Sequence, residues 1–355
     1  MKSWNYLFFT VLSAVSSVVT YSQENKTVKV IFSGYVDIFY SFNFNQPVKL
    51  QSNTFLYNYN RHNEFNLNIG LLRARFEYEN AYASFAIHSG TYVEDNYANE
   101  KIKYINESYI GLYLDKNKKH TLEVGIMPSY IGFETATTAA NITLTRSILA
   151  ENTPYYMAGV KLNHEFSSKW SLSEILSNGW QKINKPNKKA LPSVGTQLVY
   201  KPNDRNTINW STYIGDEPIN DLLRTRYFNN FYWNYQWNSK WRTILGFDFG
   251  FQKQVTESNF DNWYSPILLI QYAINKKWQS CFRAEYYQDK NNSIIAGNNE
   301  FKTTGTSVNI DFLPTSKIKF RTEAKLYNSK ELFFQHNNQL VKNDLLLTTS
   351  LSFDF

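Results

Sequence analysis

The stretch Leu345–Phe355, L-L-L-T-T-S-L-S-F-D-F, decides how the rest of this chain is read. Every second residue back from the end (Phe355, Phe353, Leu351, Thr349, Leu347, Leu345) makes one face. Asp354, Ser352, Ser350, Thr348 and Leu346 make the other. Side chains alternate across a β-strand, so this period of two predicts a strand with one apolar and one mostly polar face. A strand closing on an aromatic residue, in a chain that opens with an apolar leader, points to a transmembrane β-barrel. There the apolar face meets lipid and the polar face lines a lumen.

The leader runs from Met1 to about Ser22. It has one basic residue, Lys2, then an apolar stretch from Trp4 to Val19, with small residues Thr20 and Ser22 before a cleavage point. This has the form of a secretory signal peptide, residues 1–22, leaving 23–355 as a single barrel domain exported to the bacterial outer membrane. A lipoprotein signal would need a cysteine just after the leader, but the one cysteine is Cys281, which also excludes an internal disulfide and a cysteine metal cluster. No later segment offers about 18 consecutive apolar residues, so no membrane helix is available. Lipid admits only helices and closed sheets, so a membrane reading has to be a barrel. The mean hydropathy of −0.46 agrees, because half of each barrel strand is polar.

Aromatic residues make up 17% of the chain, 26 Tyr, 26 Phe and 9 Trp, and girdles at the headgroup level are the natural place for them. The net charge of +7 is scattered over turns, loops and lumen positions rather than gathered into a stripe, so no nucleic-acid partner is expected.

Short polar turn signals recur at 79–80, 115–119, 167–169, 202–205, 238–240, 275–277 and 314–317, three of them followed at once by Trp170, Trp241 and Trp278. Longer connections fall at about 43–63, 92–102, 128–154, 179–192, 215–222, 253–261, 289–300 and 328–341. Short turns and long loops alternate, as periplasmic turns and extracellular loops do in outer-membrane barrels. The strands lie near 28–42, 65–79, 81–91, 103–115, 119–127, 155–166, 169–178, 193–201, 206–214, 223–237, 240–252, 262–274, 277–288, 302–313, 316–327 and 342–355. That makes about 16, an even number, predicting an all-β, closed antiparallel barrel with both termini on the periplasmic side. Strands 262–274 and 169–178 alternate poorly. Elsewhere the alternation is sharp: Ile318, Phe320, Thr322, Ala324 and Leu326 oppose Lys317, Lys319, Arg321, Glu323 and Lys325. A charge on the lipid face at mid-bilayer costs about 2–4 kcal/mol, so the charged faces should point inward.

The longest connection, 128–154, is the candidate for whatever limits passage, because loops of this length without function are uncommon. Its small residues, Thr135–Ala140, would lie against the inner wall, the alternative being an outward loop packed on a neighbouring one. Glu134, Arg146 and Glu151 would face wall charges such as Arg73, Arg75, Arg224, Arg226 and Arg283, giving a transverse field across the lumen. With Glu77, Asp248 and Glu285 these are the pore-lining or constriction candidates. Predicted lumen positions carry both signs in nearly equal number, so no strong ion selectivity is expected. Pairing that keeps the wall rigid accounts as well for any single one of them.

The runs Pro128–Gly132 with Phe133-Glu134, Thr145-Arg146-Ser147, Ala150–Tyr156 and Asn178–Gln181, together with Gly34–Asp37, resemble the OmpL-like β-barrel porins of Bacteroidetes-type outer membranes. The resemblance implies a porin-like channel passing small hydrophilic solutes, and it is sharpest over 34–181.

Other functions find less support. The five histidines, His62, His88, His120, His164 and His336, form no metal-spaced pair and have no Ser/Asp partner motif. No enzyme, catalytic residue, metal or cofactor is therefore expected, a barrel hydrolase being the rival. The Asn- and Tyr-rich loop at 53–63 also suits adhesion or ligand binding. Expected partners are outer-membrane lipid and lipopolysaccharide, small hydrophilic solutes, and the barrel-assembly machinery acting on the strand that ends at Phe355. A homo-oligomer is left open, since no segment reveals a subunit interface.

Overall fold

The structure, a computed structural model, describes residues 27–219, 222–255, 259–297 and 299–355, so the leader 1–22 lies outside the described residues. Sixteen antiparallel strands close on themselves: β1 (Lys29–Asn43), β2 (Glu64–Tyr78), β3 (Ala81–Ser89), β4 (Ile105–Tyr113), β5 (His120–Pro128), β6 (Tyr156–Glu165), β7 (Trp170–Ser177), β8 (Ser193–Asn203), β9 (Asn206–Ile219), β10 (Leu222–Gln236), β11 (Trp241–Lys253), β12 (Phe260–Ala273), β13 (Trp278–Asp289), β14 (Phe301–Phe312), β15 (Ile318–Ser329) and β18 (Asn343–Asp354). A small hairpin, β16 (Phe334–His336) and β17 (Gln339–Val341), sits in the connection before β18. Each strand pairs with its neighbour in sequence, apart from the closing pair β1–β18 and the β15–β18 step over the small hairpin. At the seam the backbone N–H of Phe355 donates to Gly34 O at 2.9 Å and that of Gly34 to Phe355 O at 2.8 Å. A side chain at position 34 would meet the Phe355 ring, its Cβ 2.3 Å from Cζ, which is why glycine stands there.

The short turns share one chemistry. Asn238 Oδ1 accepts from the N–H of Lys240 and Trp241 at 2.9 and 3.0 Å, and Asn275 Oδ1 does the same for Lys277 and Trp278 at 2.8 and 3.0 Å. Ser167 and Thr315 hydroxyls play that part at 167–170 and 315–318. A short side-chain acceptor mimics a backbone turn and lets the chain reverse in two or three residues. The tryptophan after each turn then lies on an aromatic of the next strand: Trp170 on Tyr200, Trp241 on Tyr272, Trp278 on Phe312, with ring centroids 4.2, 4.5 and 4.8 Å apart. This is an aromatic girdle at the short-turn end.

The barrel is greasy outside and ionic within. Phe247 and Phe320 are 40% and 48% exposed, whereas Arg321 and Glu323 are 0% and 1%. Glu174 on β7 breaks the pattern. It faces outward and lies 3.7 Å from His164, a few residues from the girdle, where a long side chain can reach the headgroups.

Three expectations need correction. The connection at 215–222 is no long loop, because β9 runs to Ile219 and β10 resumes at Leu222, with Glu217 opposite Arg224 and Asp216 opposite Thr225. The connection 328–341 contains the hairpin β16–β17, and the one at 92–102 opens as a short helix, Thr91–Asn96, so neither is without structure of its own. The lumen is also not simply charged and wet: apolar clusters fill part of it. In one, Phe55, Met127, Tyr130, Ile131 and Ile148 meet the inward faces of Trp263, Phe301 and Tyr327. In another, Ile142, Leu149 and Phe133 meet Ile244, Ile267, Leu269 and Cys281. The second explains why β12 alternates poorly in sequence, since its inward face is apolar as well.

Candidate functional site: the loop inside the barrel

The connection that leaves β5 at Pro128 does not turn outward. It folds into the lumen and crosses it, taking footholds that the wall provides. Tyr130 Oη donates to Thr212 O at 2.6 Å, and Gln197 Nε2 donates to Tyr130 O at 2.7 Å. That approach requires Gly195 beneath it, because a Cβ there would stand 1.8 Å from Tyr130 Oη. Gly132 N donates to Asn230 Oδ1 at 3.2 Å, and Phe133 lies over Gly246 in the same way.

The far end of the loop grips β13–β15. Leu144 N donates to Asn309 Oδ1 (3.0 Å), Thr145 N to Glu323 Oε2 (2.7 Å) and Ile148 N to Glu285 Oε2 (2.6 Å). Lys325 Nζ donates to Arg146 O at 2.9 Å, and Arg283 reaches Thr145 O at 2.8 Å. Thr138, in the small-residue run, meets Tyr35 of β1 and accepts from Arg321 at 3.3 Å. A four-residue helix, Ile148–Glu151, follows, its first turn capped by Ser147 Oγ accepting from Ala150 N at 3.1 Å.

The candidate charges divide into two groups. Arg283 and Glu285 join the loop contact, with Arg283 2.5 Å from Glu323 and 3.5 Å from Glu285, all buried. Glu134 accepts from Ser147, and Glu151 accepts from Tyr57 N (3.0 Å) and Asn58 N (3.3 Å) of the first long connection. Arg146 answers no wall carboxylate. Its guanidinium donates to the loop's own carbonyls at Thr135, Ala136 and Leu144, bending the segment into a compact knot. Arg73, Arg75, Arg224 and Arg226 take their ion-pair partners from outside the loop, although Arg73 shares a cavity with Glu134 and Arg226 shares one with Glu151. They pair within the wall: Arg73 with Glu107 (2.5 Å), Arg75 with Glu77 (3.0 Å), Arg224 with Asp261 (3.6 Å) and Arg226 with Glu217 (3.9 Å). Inward side chains two apart on one strand, or on strands adjacent or one removed, come within reach of each other before a distant loop can. Asp248 accepts from Asn230 at 2.5 Å, inside the wall.

Arg321, Glu323 and Lys325 belong with the contact. Their alternation marked them as inward, and nothing local told them apart from other inward charges. Asn309 and Asn230, which receive the loop backbone, carried no signal at all.

Burial pushes the Glu151 carboxyl up to about 7, against the pull of Arg146 and Lys325. Its protonated form is therefore favoured in the folded loop. The stability it contributes is full below about pH 4.5 and is lost as pH rises through 7. Channel flicker is expected to increase over that window and to lose its pH dependence in Glu151→Gln, read by single-channel recording.

The loop leaves space along the β2–β8 side. One cavity of about 240 Å³ lies at the long-loop end, among Tyr57, Glu100, Glu151, Tyr156, Trp180 and Arg226. A second of about 300 Å³ lies between Arg73 and Glu107 of the wall and Glu134–Thr137 of the loop, and Tyr156 lines both. A third, about 410 Å³, opens at the short-turn end beside Lys169, Lys201, Asn163 and Ser173. A larger hollow of about 650 Å³ involves mainly the lipid-side residues Ile208, Phe231, Leu245, Phe247 and Pro266 and is no part of the passage.

Known proteins agree with this architecture. An anion-selective porin from Comamonas acidovorans has a TM-score of 0.63 at 9% identity, covering 93% of this chain and 100% of that one. The outer-membrane channel DcaP of Acinetobacter baumannii gives 0.62 at 10%, covering 95% and 100%. Salmonella typhi OmpF in complex with daunomycin gives 0.61 at 9%, covering 94% and 99%. At these identities the likeness is one of fold. No curated protein is similar enough to be matched. Residues 29–355 match the family model "Putative beta-barrel porin-2, OmpL-like", and this chain belongs to that family of outer-membrane porins.

Proposed function

We propose that the barrel passes small hydrophilic solutes by passive diffusion, along the side of the lumen that loop 128–154 leaves free. The observation that carries this reading is the loop's one-sided docking. It is tied to β8–β10 and β13–β15 and touches β1, while cavities remain mainly beside β2–β7, the upper one reaching Glu217 and Arg226 of β9 and β10. The residues we assign to the constriction are Glu134 on the loop and Arg73 with Glu107 on the wall, because they line one cavity from opposite sides. Arg146, Arg283 and Glu285 hold the loop in place rather than meet the solute in mid-passage, and Glu151 holds it while also lining the upper cavity.

Most buried arginines and glutamates at the loop contact are engaged in ion pairs or hydrogen bonds that hold the loop, which supports a channel without an enzymatic role. Bilayer lipid would surround the apolar belt, lipopolysaccharide would flank the long loops, and the assembly machinery would engage the strand ending at Phe355. The N-terminal 22 residues would be removed on export. The solved porins' own selectivities do not carry over, because at 9–10% identity the lining side chains are this chain's own.

Purified protein in a planar bilayer is expected to give stepwise conductance of one unit size. A silent bilayer in several lipid mixtures, with barrel insertion shown independently, would overturn the channel reading.

A further inference from the structure

Ion preference is set by the charges a solute meets, and the sum over the whole barrel hides these. Most charges of the wall and of the long connections are cancelled at contact distance, as in Arg73–Glu107 (2.5 Å), Lys161–Glu123 (2.7 Å) and Arg226–Glu217 (3.9 Å) on the wall and Arg61–Asp95 (2.6 Å) between connections. What is left in the two cavities beside the loop is mainly negative, whereas Lys118, Lys119, Lys169 and Lys201 line only the cavity at the short-turn end.

In the upper cavity Glu100 takes neutral donors: the Tyr156 hydroxyl at 3.2 Å, Ile183 N at 3.1 Å and the Asn184 amide at 3.4 Å. Among the described residues no cation lies within 4.0 Å of it. In the lower cavity Glu134 directs Oε2 to Ser147, while Oε1 is buried with no hydrogen-bond partner. A buried acceptor left unmade costs about 1–3 kcal/mol, so an oxygen kept in that state beside a passage calls for a donor that comes and goes. Tyr57, Tyr156 and Trp180 also line the upper cavity, and aromatic rings attract cations. Of the two cations there, Arg226 is engaged by Glu217 and lies 5.0 Å over the Trp180 ring, which leaves Lys182.

We propose that this passage prefers cations and takes small ammonium-bearing solutes, which meet Glu100 first and Glu134 second. The inference rests on the channel reading above. It replaces the expectation of weak selectivity with a local account, since paired charges cancel and unpaired ones act. Both cavities are at or below the small end of ordinary ligand pockets, about 300 Å³, so the solute is of amino-acid size rather than oligomeric.

The test is the reversal potential of the full barrel in a planar bilayer under a KCl gradient, followed by addition of lysine, glutamate or glucose to the long-loop side. A cation-signed potential and block by lysine alone are expected, and both should fall toward neutrality in Glu100→Gln and Glu134→Gln. A conducting barrel with a zero or anion-signed potential overturns the proposal, and so does block by glucose equal to that by lysine. The wild-type measurement decides this even if a variant assembles poorly. Absence of any conductance sinks the channel reading itself, and this inference with it.

Discussion

Removal of residues 134–150, bridged by a short glycine–serine linker, is expected to raise single-channel conductance severalfold. The sheet does not depend on this segment, because the ladder closes from strand to strand and at the β1–β18 seam. What the segment contributes is obstruction. It brings Ile142, Leu149 and the knot around Arg146 into the lumen. A barrel of about this strand number encloses room for water once nothing fills it. The wall uncovered by the deletion carries Arg283, Glu285, Arg321, Glu323 and Lys325, which would rehydrate rather than collapse. Bilayer recording checks the outcome. An unchanged unit conductance would mean that solutes do not pass beside this loop.

The second large effect is expected from Arg283→Met. Arg283 is buried between Glu285 and Glu323 and also holds Thr145 O at 2.8 Å. Losing it leaves two carboxylates facing Lys325 alone among the lysines and arginines of this contact, and breaking a buried pair from one side costs about 3–5 kcal/mol. That penalty falls on the docked state of the loop, since an undocked loop admits water to the carboxylates. The variant should therefore flicker between two conductance levels, and its loop should be cut by protease added from the long-loop side. Arg283→Met combined with Glu323→Gln should recover part of the quiet, docked behaviour, because one orphaned charge goes with its partner. Loss of the exposed Lys103–Glu94 pair should change neither readout. A silent, protease-resistant Arg283→Met channel would show that the contact does not hold the loop.

The faces of the strands are legible in the chain, whereas the docking of the loop is not. Residues 342–355 and 316–327 announce inward and outward faces because a strand's period is a local property, fixed by neighbouring pairs of residues. The turns are equally local: Asn238, Asn275 and Ser167 cap them from two or three residues away. Where β12 alternates poorly, the cause is not local. Ile267 and Leu269 face inward to meet Phe133 and Leu149.

The amino-acid sequence by itself determined the closed sheet, its strand number to within about two, its two faces and the inward side of most wall charges. Each of those follows from contacts between residues close in the chain or paired along adjacent strands. Only the tertiary structure decided that loop 128–154 docks on β13–β15, that Arg146 turns to its own backbone, and that Glu134 keeps an unpaired oxygen beside a passage. Those outcomes rest on partners such as Thr145 and Glu323, 178 residues apart, and no local period records which distant acceptor a loop amide will find.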